Sequence, residues 1–127
     1  GVAHRIHWPG MITGAAKYGA LRGAEAFVLP SHQENFGIAV AEALACAKPV
    51  LISDQVNIFR EIAEARAGFT ETDSVEGTIN LLRRWLKTDT AERAEMGRRA
   101  EALYHDRFTV EAAARDLCDV LHEITKK

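Results

Sequence analysis

The sequence predicts an α/β fold: a Rossmann-like, three-layer parallel sheet over residues 1–73, followed by C-terminal helices over residues 74–127, all in one domain. Three observations lead there. The apolar runs "AFVL" (26–29) and "PVLI" (49–52) do not alternate, as befits strands covered on both faces of a parallel sheet. Helical patterns lie between these runs, and the alternation of strand and helix is the signature of crossover units. Beyond residue 73 the period changes to that of amphipathic helices with charged outer faces.

Taken in order, residues 5–8 ("RIHW") alternate polar and apolar side chains and read as a half-buried first strand. A helix is expected over 13–23, the "AFVL" strand over 26–29, and a helix of small apolar residues over 38–47. The "PVLI" strand follows at 49–52, then a helix over 57–65 and a short strand at 68–70. In the C-terminal part, Ile79, Leu82 and Leu86 mark one helix and "TAERAEMGRRAEALY" a second. The third, "TVEAAARDLCDVLHEI", gathers Val110, Ala113, Leu117, Val120, Leu121 and Ile124 on one face. Thr90 and Thr109 are expected N-caps, each with a glutamate in the following turn. Arg83, Arg84, Arg98 and Arg99 read as solvated surface.

A chain of 127 residues with 47% hydrophobic composition is long and apolar enough to bury one core. Its formal net charge of −2 offers no basic excess for nucleic acid or anionic lipid. The two cysteines, Cys46 and Cys118, lack metal-like spacing, and Cys46 reads as a small buried hydrophobe. No disulfide framework is expected, which suits a reducing, cytoplasmic compartment. His4 and His7 fall on opposite faces of the expected strand and make a poor metal pair, and His32 matches no pattern of its own. The chain opens on strand-like sequence without an initiator methionine, as a piece of a longer protein would.

The chemistry concentrates in "PSHQENFGIAVAEA", residues 30–43. Glu42 is the lone polar residue between Gly37 and Ala47, and a desolvated carboxylate without partners costs several kcal/mol. It needs donors from the protein or from a ligand, and sugar or ribose hydroxyls are suitable. Asn35, Phe36, Gly37 and Ile38 form the turn into the helix, whose first amides and dipole attract phosphate. The turn also lies at the carboxyl end of a parallel strand, where open α/β sheets bind ligands. Eight helical residues span about 12 Å, an upper bound for the separation of Glu34 and Glu42. A retaining glycosidase pair needs only about 5–5.5 Å, so these two acids suit different parts of one long ligand such as a nucleotide diphosphate sugar. On spacing alone a second reading stands equally, in which Glu34 complements the helix dipole and Glu42 is a satisfied structural acid.

At these residues the sequence resembles the retaining GT-B glycosyltransferases of family 4, the glycosyl transferases group 1. Their E-x7-E motif, P-S-x-x-E-x-F-G-x-x-x-x-E-A, is matched at every fixed position, and "AEAFVLPS", "KPVLISDQVNIFREI" and Gly68 extend the similarity. The resemblance implies that Glu34 lies at the donor sugar as a donor-positioning, catalytic-site residue and not a nucleophile. It implies that the backbone of Asn35, Phe36, Gly37 and Ile38 meets sugar hydroxyls and the β-phosphate, and that Glu42 binds the ribose. The loop "WPGMI", with Gly10, Met11 and Ile12, corresponds to a segment near the nucleobase, although a plain strand-end turn explains Pro9 and Gly10 equally well. No cofactor and no obligatory metal are implied. The donor would be a UDP-, GDP- or ADP-linked sugar, and the acceptor a glycan or lipid held by an N-terminal domain that could seat the enzyme on the inner membrane face.

Two departures qualify this. The family's glycine before "PV" is replaced in "ACAKPV", where Ala47 stands at the helix end that glycine would cap. The family's basic pair on the first strand and helix of this domain has no counterpart in this sequence and is expected upstream of residue 1, since the chain starts at what would be the third strand. The isolated chain is therefore expected to be inactive and, with an unpaired edge on the "AFVL" strand, either to exchange its first strand with a second copy as a homodimer, the favoured outcome, or to re-pair that strand internally. The alternative function is a non-catalytic nucleotide-binding or interaction module.

Overall fold

A computed structural model of the protein describes residues 1–126. Three parallel strands form one sheet in the order β1 (Phe27–Leu29), β2 (Val50–Ser53), β3 (Gly68–Glu71). Register is set by Phe27 opposite Val50 and by Val50 opposite Gly68. The period of two in β2 divides the core. Val50 and Ile52 point to one face, where they meet Val40, Ala43 and Leu44 of α2 (Ile38–Ala45) and Ile62 of α3 (Phe59–Ala65). Leu51 points to the other face and packs with Leu81 and Trp85 of α4 (Val75–Lys87) and Met96 of α5 (Thr90–Leu103). All four residues of β2 are buried, which is why its sequence lacks alternation. The predicted three-layer α/β arrangement is present.

Close packing explains one glycine outright. A Cβ on Gly68 would lie 1.8 Å from the Val50 carbonyl oxygen, so β3 can start beside β2 only with hydrogen at that position. Ser53, fully buried at the end of β2, donates its hydroxyl to the Ser31 carbonyl and ties the exits of β1 and β2 together.

The first strand is a correction. Residues 5–8 form no strand: Ala3–Arg5 is a single 3-10 turn, and Trp8 is 89% exposed. Alternation over four residues has no force without a neighbour to pair with, and the outer edge of β1 receives none among the described residues. The expected internal re-pairing of this segment is therefore not seen. The chain instead enters α1 (Gly14–Gly23), which contains no buried residue and leans on the body through Leu21.

At the other end, α5 runs into a π-helical turn, Tyr104–Phe108, and then α6 (Val110–Thr125). Thr109 caps α6 as expected, accepting from the Ala112 amide at 3.1 Å. The cap of α5 is Asp89 and not Thr90: its carboxylate accepts from the Glu92 amide at 2.8 Å. The glutamate cue was sound but counts back three residues to Asp89. The apolar face predicted for α6 exists, yet Val110, Leu117, Val120, Leu121 and Ile124 are all exposed, and Ala112 is the helix's one buried residue among those described. Of the arginines read as surface, Arg83, Arg84 and Arg98 are exposed and Arg99 is half-buried; Arg84 pairs with Glu71, Arg98 with Glu95 and Arg99 with Glu92.

Candidate active site

The site sits at the carboxyl ends of β1 and β2, where the chain turns into α2. Gly37 makes the turn in the left-handed region, φ 74° and ψ 58°, where glycine is unstrained. Having no side chain it cannot cap α2, and the first helical amides that find a backbone acceptor are those of Val40 and Ala41, both bonded to the Gly37 carbonyl. The helix start thus keeps the free donor groups and positive dipole end that suit an anion.

Glu34 is fixed from the backbone. It bridges Val56 as an isolated parallel pair, its amide donating to the Gln55 carbonyl and its carbonyl accepting from the Asn57 amide, each at 3.3 Å. The segment from Gln33 through Glu34, Asn35, Phe36, Gly37 and Ile38 to Ala39 lines one open cavity of about 570 Å³. Phe36 is braced from behind by Phe108 of the π-helical turn, ring edge to ring face at 5.6 Å. His32, which sequence reasoning set aside, places Nδ1 2.9 Å from Asp73 Oδ2 and anchors the front of this loop to the turn before α4. That contact holds the Asp73 carboxyl below its ordinary range.

Glu42 lies one helical turn further on and faces a second cavity of about 380 Å³, walled by Ile12, Ala20, Leu21, Ala24, Phe27 and Ala39. Ala39 lines both cavities, so the two hollows flank the first turn of α2. The helix is not buried all round, as its composition suggested. Val40, Ala41, Ala43 and Leu44 are buried, whereas Ile38 is 70% exposed and Glu42 opens to the cavity.

Glu42 also has a protein partner that the sequence reading did not find. Lys17 Nζ of α1 lies 2.8 Å from Glu42 Oε1, with the two side chains about one third and one quarter exposed. The carboxylate holds the Lys17 ammonium above the usual lysine range. A signal was available: Lys17 stands among small residues and one tyrosine in "GAAKYGA", with no acidic residue on its own helix to pair with. Of the expected nucleobase loop, Ile12 reaches this cavity, while Met11 is 93% exposed and Gly10, at φ 72°, serves the turn. Among the described residues no cluster of three His, Cys, Asp or Glu could hold a metal, and no helix is long and apolar enough to cross a membrane.

The family model for glycosyl transferases group 1 matches residues 1–103. D-rhamnosyltransferase WbpZ of Pseudomonas aeruginosa is 31% identical over 112 residues, covering 82% of this chain and 28% of that protein. D-inositol 3-phosphate glycosyltransferase of Arthrobacter sp. is 33% identical over 90 residues, covering 71% of the chain and 21% of the relative. The chain therefore spans between a fifth and a third of the length of the curated relatives it matches. Among solved structures, sucrose-phosphate synthase from Thermosynechococcus elongatus aligns with TM-score 0.67 at 25% identity, over 88% of this chain and 27% of that one.

Proposed function

We propose that the chain, which belongs to the glycosyl transferases group 1 family, forms the donor-binding part of an enzyme that moves a sugar from a nucleotide diphosphate sugar to an acceptor with retention of configuration. The observation that supports this best is the pair of cavities on either side of Ala39, with Glu34 in one and Glu42 in the other. A ligand with a sugar at one end, hydroxyls of a ribose at the other and a diphosphate between them matches that layout.

In this reading each part of the chain has a physical task. The Glu42 carboxylate accepts hydrogen bonds from ribose hydroxyls, and the apolar wall beyond it takes up the face of the base. The uncapped start of α2 and the backbone of Asn35, Phe36, Gly37 and Ile38 lie along the diphosphate and the sugar hydroxyls. Negative charge that grows on the departing diphosphate is met there by amide groups already oriented before the reaction begins. Glu34 stands at the sugar end, where its carboxylate holds a hydroxyl and fixes the ring against the reacting face. The acceptor is held by parts of the protein beyond this chain, so the chain alone turns over no substrate.

The test is calorimetric titration of UDP-, GDP- and ADP-sugars into the protein and its Glu42 variants. Charge-assisted hydrogen bonds are worth about 1.5–3 kcal/mol, so Glu42→Ala is expected to weaken the bound nucleotide roughly tenfold to a hundredfold. Glu42→Gln keeps one acceptor and loses less. Unchanged donor affinity in a Glu42→Ala protein of lowered stability would return Glu42 to a purely structural role.

A further inference from the structure

We infer that Lys17 is a positioning residue of the nucleotide site, holding the Glu42 carboxylate by one oxygen so that the other is presented to the ligand's ribose hydroxyls. The inference rests on the donor-binding reading above and adds a residue to it.

Four observations converge. First, the pair lines the cavity: Lys17 and Glu42 are its two hydrogen-bonding side chains, and the remaining walls are Ile12, Leu21, Phe27 and three alanines. An ion pair that served only the surface would have no reason to occupy the mouth of an otherwise apolar hollow. Second, the bond uses Oε1 alone, and among the described residues no protein donor reaches Oε2. A carboxylate can accept about four hydrogen bonds, so the Lys17 contact leaves most of that capacity for a ligand. Third, the geometry is complementary: an ammonium donates only, a carboxylate accepts only, and a ribose hydroxyl does both. A hydroxyl seated between them can donate to Glu42 and accept from Lys17. Fourth, this is the one side-chain hydrogen bond from α1 to another element among the described residues. α1 has no buried residue and leans on the core through Leu21, so the pair helps to hold Ile12, two residues before the helix, at the cavity wall. Lys17 thereby joins the two stretches that the sequence reading assigned separately to ribose and base.

The same arrangement tells positioning from competition. Were Lys17 a plug that the ligand must displace, removing it would tighten binding. If it orients Glu42, removing it weakens binding, and only for ligands that carry the ribose hydroxyls.

The experiment compares UDP, GDP and ADP with their 2′,3′-dideoxy counterparts, titrated into the full-length protein and three variants. For the nucleotide that binds, the wild type is expected to prefer the ribose form, and Glu42→Ala to abolish that preference. Lys17→Met is expected to reduce the preference by about three- to fivefold, the effect of an orienting ion pair at a partly exposed position, with dideoxy affinity held within about twofold. Lys17→Arg, which retains a cation of similar reach, restores most of it. A Lys17→Met protein with the full ribose preference, or with tighter ribonucleotide binding, overturns the role of Lys17 while the reading of Glu42 stands. A wild type indifferent to the ribose hydroxyls overturns both. Lys17→Gln serves as the second neutral variant if Lys17→Met does not fold, and is held to the same outcomes.

Discussion

Glycine at position 47 is expected to stabilise the protein by about 0.5 kcal/mol. The estimate follows from how α2 ends. The Lys48 amide bonds the Ala43 carbonyl at 3.0 Å and the Ala47 amide bonds the Leu44 carbonyl at 2.9 Å, the paired bonds of a Schellman cap. That cap needs a left-handed residue at its centre, and Ala47 supplies it at φ 57°. An L-residue there carries about 1–2 kcal/mol of strain between Cβ and the backbone, which glycine relieves. Against this, glycine loosens the unfolded chain by about 0.4–1 kcal/mol. Loss of the half-buried methyl takes back a few tenths more, part of the ~0.8 kcal/mol of a fully buried carbon. A small positive balance remains, so a second substitution of opposite sign makes the test decisive. Ala47→Val puts a β-branched side chain at the same φ and is expected to destabilise by at least about 1 kcal/mol beyond alanine. Urea denaturation with unchanged slope reads both as shifts in midpoint. The expected order of stability is glycine, alanine, valine. A glycine variant less stable than the wild type, or a valine variant equal to it, would refute the assignment of strain to this residue.

Two further outcomes are expected. Gly37→Ala at φ 74°, with its Cβ 3.1 Å from Val56 Cγ1, is expected to cost about 1 kcal/mol and to weaken nucleotide binding, measured by urea denaturation and calorimetry. Because His32 holds the Asp73 carboxyl below its ordinary range, the stability it contributes is complete above the unfolded carboxylate range of about 3.9 and is lost as pH falls through the folded value. Thermal melts between pH 6 and pH 2.5 are expected to show a shallower acid decline for Asp73→Asn than for the wild type, and identical declines would dismiss that contact.

What could be read from the sequence and what could not divides along a physical line. The motif from Pro30 to Ala43 is local: strand, turn and helix follow one another, and their side-chain types announce the site before any folding is considered. The same holds for β2, whose unbroken apolar run means cover on both faces. Residues 5–8 misled because a strand is a property of two paired segments. Their alternation was real, but among the described residues no neighbour converts it into a ladder. Lys17 escaped for a related reason. It meets Glu42 across 25 positions, and no periodicity joins two residues on different helices. Asp89 and Thr90 are adjacent residues of equal capping talent, and only the count to Glu92 separates them. The face of α6 was read correctly as apolar, but a pattern states what a helix could bury and not whether something is there to bury it against.

The backbone anchorage of Glu34 has a consequence for how such a site diversifies. Both of its main-chain groups are committed to the loop after β2, so the backbone at this position is held independently of the carboxylate, for any residue that keeps its amide hydrogen. Exchange of that side chain changes the chemistry offered to the ligand while leaving the frame untouched. Position 34 is in effect a socket: on the donor-binding reading proposed above, its side chain can be exchanged to try new sugars without rebuilding the scaffold that presents it.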